Sequence, residues 1–201
     1  MDIEKIATSI SQVPLTQNRR IIAIAGAPAS GKSSLAQTLA QRIPNACVLP
    51  MDGFHRDNAD LEAHGLLARK GAPETFDVEG FERILRAIRT DAMLSYPTFD
   101  RTLDATVPAG GCLNARDETI LVEGNYLLLN VPPWQRLGDL WDLTIMLNVA
   151  TVELEHRLVA RWRAHGHTQE AARARAHSND LPNALFMQEN STLADVVVTV
   201  S

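Results

Sequence analysis

Apolar positions along this chain switch between two spacings. Residues 3–13 place Ile3, Ile6, Ile10 and Val13 at helical intervals, which predicts a helix with one apolar face. Residues 20–25 (RIIAIA) are a short, almost wholly apolar run, the signature of a strand covered on both faces as in a parallel sheet. That run stops at Gly26. From Ser33 onward Leu35, Leu39 and Ile43 recur every four residues, predicting a helix that Pro44 ends. The alternation then repeats, with strands expected over 46–51, 119–122, 143–149 and 196–200. A helix is expected after Asp77 with Val78, Phe81, Leu85 and Ile88 inward, and another after Thr151 with Leu154, Leu158 and Trp162 on one stripe. Asp77 and Thr151 are residue types that cap helix N-termini. Strands alternating with helices predict an α/β fold, a five-stranded parallel sheet flanked by helices.

Two stretches break this rhythm. Residues 53–76 and 91–117 are long and rich in Gly, Pro and Asp, and loops of that length in a compact domain are usually functional. They fall where a lobe for a second substrate could be inserted. No repeat, low-complexity tract or linker interrupts the chain, so one domain is expected over 1–201. The 45% apolar and 21% charged content is that of a globular protein, large enough to bury a core. No apolar stretch approaches the roughly 20 residues that span a bilayer. The N-terminus carries acidic residues and lacks an uninterrupted apolar core, unlike a secretory signal, so the cytoplasm is the expected compartment. Cys47 and Cys112 offer neither metal-ligand spacing nor a disulfide framework, and no His pair has the spacing of a helical metal site. No structural metal is expected. A net charge of −5 argues against a nucleic-acid or membrane-surface binder, yet allows a small anionic ligand held by local arginines.

The sharpest chemical signal follows the first strand. Gly26-Ala27-Pro28-Ala29-Ser30-Gly31-Lys32-Ser33 is an intact G-x-x-x-x-G-K-S, lying between a buried strand and an amphipathic helix. Its glycines let backbone N–H groups wrap phosphate oxygens, and the following helix adds its positive N-terminal end. Lys32 is expected at the β and γ phosphates and the Ser33 hydroxyl at Mg²⁺, with Ser34 completing the ATP-binding segment. No Asn-Lys-x-Asp guanine signature occurs, so ATP is favoured over GTP.

Ligands of parallel sheets bind beyond the carboxyl ends of the strands, and two acids reach that edge. Asp52 ends the second strand in Pro50-Met-Asp-Gly-Phe-His55, and Glu123 ends the third in Ile120-Leu-Val-Glu-Gly124. A carboxylate at the tip of a buried strand is costly unless it faces a cleft, a metal or a cation. Asp52 suits a general base that takes the proton of an acceptor hydroxyl, and Glu123 suits Mg²⁺ support. Positive charge over the transferring group is the third requirement. Arg157 and Arg161 share a helix face, Arg163 lies nearby, and 168–178 reads as a short helix beyond a Gly166 hinge. An arginine-bearing lid over roughly 157–190 is expected, with Arg161 as the catalytic arginine.

These residues resemble the uridine kinase, pantothenate kinase and phosphoribulokinase superfamily of P-loop enzymes, over 21–200. MDGFH at 51–55 is similar to the superfamily's second-strand motif, which implies the base role for Asp52. LVEG at 121–124 is similar to its third-strand motif and implies Mg²⁺ support by Glu123; RLVAR at 157–161 resembles the start of its lid and implies Arg161. RKGAPETFD at 69–77 and YPTFDR at 96–101 resemble acceptor-facing segments, which implies acceptor contacts for Asp77, Asp100 and Arg101. Asp77 can equally serve only as a helix cap, and His55 can contact substrate or order its own loop. MDGFHRDN, RKGAPETFD and NDLPNA together most resemble small bacterial proteins described as fructose transport system kinases. Where uridine kinases continue their lid with Arg-Gly-Arg, this chain reads His165-Gly-His167. The implied activity is transfer of the ATP γ-phosphoryl group to a hydroxyl of a small molecule: a sugar, a pantothenate-like compound or a nucleoside. The alternative is a P-loop NTPase with a regulatory or transport-associated role. ATP and a small hydroxyl-bearing substrate are the expected partners, with no nucleic acid and no membrane insertion, and a homodimer is left open.

Overall fold

The computed structural model describes residues 2–200. Its strands are β1 (Arg20–Gly26), β2 (Ala46–Pro50), β3 (Leu94–Asp100), β4 (Ala105–Leu113), β5 (Thr119–Gly124), β6 (Leu143–Val149) and β7 (Val196–Val200). The α-helices are α1 (Ile3–Gln12), α2 (Lys32–Arg42), α3 (Asn58–Ala63), α4 (Val78–Ala87), α5 (Thr151–Ala164), α6 (Gln169–Arg175) and α7 (Leu181–Asn190). Five strands form one sheet in the order β2-β5-β1-β6-β7, with every pairing parallel. β1 is the central strand, so the turn that follows it opens at the middle of the sheet's carboxyl edge.

The period of two along β1 explains why it is apolar throughout. Ile21, Ala23 and Ala25 enter one core with Phe81 and Leu85 of α4 and Leu154 and Leu158 of α5. Ile22 and Ile24 enter the other, with Ile6 and Ile10 of α1 and Leu35 and Leu39 of α2. Both faces are covered, as the unbroken apolar run predicts. Among the described residues no helix is long and apolar enough to cross a membrane.

Several expectations need correction. The stretch 91–117 is not loop: β3 and β4 form an antiparallel hairpin, and Pro97 sits at the register shift between Tyr96 and Thr98, where a missing N–H is tolerated. The stretch 53–76 holds α3 and two 3₁₀ turns. Thr151 does not cap α5; Ala150 takes that position without a side-chain hydrogen bond. The helix expected over 168–178 ends at Arg175, then runs through a wider π-type turn (Ala176–Asp180) into α7. The hairpin is fixed at its base by Arg19, which is 5% exposed. Its guanidinium donates to the carbonyls of Ile88, Asp91, Ala92, Asn114 and Asp117, at 2.8–3.0 Å. One arginine thus ties the start of β1 to both ends of the insertion that overhangs the sheet.

Candidate active site

The turn from β1 to α2 has the backbone of an anion cradle. Ala29 (φ 62°) and Gly31 (φ 96°) are left-handed, and alternating such residues with right-handed ones turns successive N–H groups to one side. Gly31 is the N-cap of α2, so the helix's positive end faces the same way. Pro28, Ala29, Gly31, Lys32, Ser33 and Ser34 line a cleft of about 840 Å³ beyond the strand ends. Gly26, Ala27 and Ser30 form the base of the turn instead, with Ser30 buried.

Lys32 is 7% exposed, and its ammonium donates to the Ala27 carbonyl at 3.0 Å. Burial pushes its pKa down; the Glu123 and Asp52 carboxylates oppose that, while Arg161 and Arg101 add to it. An ammonium has three donors, and one acceptor leaves this one short of charge and of hydrogen bonds. A polyanion in the cleft supplies both. Glu123, within β5 and also 7% exposed, accepts from the Ser33 hydroxyl at 3.0 Å. Burial raises its pKa, and the Lys32 ammonium is the leading charge that opposes this. A hydroxyl and a carboxylate oxygen are the hard donors that Mg²⁺ takes alongside substrate phosphates, so the pair fits that ion.

β2 ends at Pro50, and Asp52 projects from the 3₁₀ turn Met51–Phe54 into the same cleft. The turn is pressed against the hairpin: a Cβ on Gly53 would lie 2.0 Å from the Pro97 carbonyl oxygen. Across that contact Arg101 donates to Asp52 Oδ2 at 2.9 Å. His55 follows, its Nδ1 2.8 Å from the Asp52 carbonyl and its ring 4.1 Å from that of Phe76 and 4.8 Å from that of Phe99. A carbonyl only accepts, so Nδ1 carries the proton. Burial pushes the ring's pKa down, which leaves Nε2 as a hydrogen-bond acceptor on the cleft wall.

The sequence-predicted residues therefore divide. Lys32, Ser33, Asp52, Glu123, His55, Arg101 and Arg161 all line one cleft. Asp77 and Asp100 do not. Asp77 accepts from Gly80 N at 2.8 Å as the cap of α4, and Asp100 accepts from Thr102 N and Leu103 N, closing the β3–β4 turn. Arg157 pairs with Glu153 at 2.6 Å. Trp162 departs from its expected packing role: it lines the cleft and donates from Nε1 to Asp180 Oδ2 at 2.6 Å.

Other wall residues had no signal of their own. Lys70 donates to Asn58 Oδ1 at 2.6 Å and pairs with Asp104 at 2.9 Å, tying α3, the 69–77 segment and the hairpin together. Asn179 donates to the Lys70 carbonyl at 3.1 Å, joining the turn before α7 to that wall. RKG and NDLPNA held these residues, and what distinguishes them is contact between segments more than 100 positions apart.

No protein-family model matches the chain. It is 34% identical over 201 residues to "Putative uridine kinase C227.14" of Schizosaccharomyces pombe, a match covering 90% of this chain and 83% of the relative. It is 29% identical over 145 residues to "Pantothenate kinase" of Leifsonia xyli subsp. xyli, across 68% of this chain but only 45% of that longer protein. The crystal structure of a "putative fructose transport system kinase" from Silicibacter sp. TM1040 superposes with a TM-score of 0.93 at 40% identity, over 98% of this chain and 99% of the other.

Proposed function

From the premise that this chain belongs to the uridine kinase and pantothenate kinase superfamily of P-loop kinases, and is a small-molecule kinase, we propose how its residues divide the reaction. The γ-phosphoryl group of ATP passes to a hydroxyl of a small acceptor bound between the β3–β4 hairpin and the 53–76 segment. The observation that carries this reading is the meeting in one cleft of a buried lysine, a Ser–Glu pair, a clamped aspartate and an arginine with no side-chain hydrogen bond or ion pair among the described residues.

The turn 26–34 holds the triphosphate, with Lys32 at the β and γ phosphate oxygens. Ser33 and Glu123 would hold Mg²⁺, which would supply positive charge against the triphosphate. Asp52 is the general base. Arg101 occupies Oδ2, which fixes the carboxylate and leaves Oδ1 to take the acceptor's proton. His55 Nε2 accepts from a second donor on the acceptor and orients it. Arg161 faces the charge that develops on the transferring group, close enough to Lys32 and Asp52 for their charges to be felt. Residues 157–190 act as the lid of a single domain, excluding water when both substrates are present. The cytoplasm, where ATP is abundant, is the compartment this reading implies.

The test is incubation with Mg-ATP and a panel of sugars, nucleosides, hydroxy acids and pantothenate, with a mass-spectrometric search for a phosphorylated acceptor. A product heavier by one phosphoryl group is expected for at least one acceptor. ATP turnover that yields none across the panel would replace this reading with an NTPase.

A further inference from the structure

The cations of the cleft wall differ in what satisfies them. Lys32 has the Ala27 carbonyl, Lys70 has Asn58 and Asp104, and Arg101 has Asp52. Arg161 and Arg175 have no side-chain hydrogen bond or ion pair among the described residues, although both line the cleft. The Nε of Arg175 is buried without a partner. What holds its guanidinium is the face of Trp162, 4.9 Å from the ring centroid, and Trp162 is fixed in turn by Asp180. A buried Nε–H without an acceptor, on a charged and half-buried group, costs stability unless a ligand completes it.

The two arginines also sit differently. Both lie near Asp180, Arg161 acting on it the more strongly, but Arg161 also acts on Lys32 and feels Asp52, so it reaches toward the phosphates. The turn that follows Arg175 is instead pinned to the acceptor wall through Asn179 and the Lys70 carbonyl. Next to that contact, Gly71 accepts from the Tyr126 hydroxyl at 2.6 Å. Asp180 lies beside the pair, and its carboxylate is already engaged by Trp162. Among the described residues neither guanidinium has a carboxylate of its own.

We propose that Arg175 binds an oxyanion, carboxylate or phosphate, carried by the acceptor itself. The substrate class is then hydroxy acids or sugar phosphates rather than neutral sugars or nucleosides. Trp162 is a positioning residue that presents Arg175. This inference rests on the kinase reading of the cleft and narrows it.

Matched pairs that differ only in the anion test it: glycerol against D-glycerate, pantothenol against pantothenate, fructose against fructose 6-phosphate. With Mg-ATP, an anionic member is expected to exceed its neutral twin by about 10- to 100-fold in kcat/KM, the worth of a hydrogen-bonded charge. Arg175→Ala should raise KM for that anionic acceptor by about the same factor while KM for ATP stays within about two-fold, which also reports an intact fold. Arg175→Lys should recover part of the loss. Neutral twins used as well as anionic ones would overturn the proposal and leave the kinase reading standing. A variant whose KM rises for ATP rather than for the acceptor would overturn it too, by moving Arg175 to the phosphates. Transfer to no member of any pair, nor to the nucleosides of the wider panel, would sink both readings.

Discussion

The phosphate side of the cleft is made of one turn and the ends of two neighbouring strands, whereas the acceptor side is assembled from α3, the 69–77 segment, a hairpin and the turn before α7. To the triphosphate proposed for it, the first presents backbone N–H groups and the end of a helix, features set by the fold itself. The second relies on side chains that meet only through the fold: Lys70 with Asp104, Arg101 with Asp52, Asn179 with Lys70. The contrast suits the two substrates. A triphosphate always presents the same oxygens, so a rigid backbone cradle serves. An acceptor that differs between relatives calls for a wall whose residues can change without disturbing the sheet.

Asp52 stands where the two sides meet, and its substitution gives the largest expected effect. Asp52→Asn should lower kcat by about 10³-fold, within the range for removing a general base, while ATP affinity stays nearly unchanged. Lys32→Ala should weaken transfer and ATP binding together. Transfer by Asp52→Asn at the wild-type rate, followed by product mass, would remove Asp52 from the chemistry and dissolve the division.

Gly53→Ala tests whether the acceptor side can fail alone. Its Cβ would meet the Pro97 carbonyl oxygen at 2.0 Å, the Pro97 carbonyl carbon at 2.5 Å and Thr98 Cα at 2.9 Å. All three belong to backbone, so the hairpin must move rather than a side chain. Overpacking of this kind costs about 1–3 kcal/mol, and displacement of Arg101 from Asp52 should cost about 10²-fold in transfer. Denaturant unfolding and ATP titration read the two effects separately. Equal losses in ATP affinity and transfer would mean that the two sides are one rigid unit.

The same contrast explains what could be read from the chain alone. The cradle is one contiguous segment between a strand and a helix, so Gly26 to Ser34 state it in order. Asp52 and Glu123 were legible because each ends an apolar run with a residue that such a run does not tolerate. Lys70, Arg175 and Asp180 carry no such mark. Lys70 reads as an ordinary surface lysine until Asp104, 34 residues on, folds against it. Trp162 fits an apolar stripe equally well, and only its bond to Asp180 turns it toward the cleft. The hairpin was hidden because Pro97, Gly110 and Gly111 are poor strand formers, tolerated here by a register shift and by cross-strand cover. Asp77 and Asp100 illustrate the converse: each accepts from backbone N–H groups of a cap or a turn outside the cleft, a role that looks from sequence like a substrate contact.

The smallest effect is expected at the outer surface of the proposed lid. Glu155 on α5 accepts from His177 Nε2 at 2.8 Å and lies 3.5 Å from Arg173 Nε, bracing α6, which carries Arg175, and the turn that follows it. The His177 hydrogen bond, with lesser help from the charges of His177 and Arg173, holds the Glu155 carboxyl below its ordinary range. A depressed carboxyl stabilises the fold fully above its unfolded value of about 4.5, and the contribution disappears as pH falls through the folded value. The thermal midpoint of wild type should therefore exceed that of Glu155→Gln slightly near neutrality, and the gap should close as pH falls below about 4.5. Because the brace is solvent-exposed, KM for the acceptor should change less than about two-fold. If Glu155→Gln instead raised that KM as far as Arg175→Ala, the surface brace, not the Trp162–Asp180 contact, would set where Arg175 stands. The acceptor wall would then extend to the outside of the molecule.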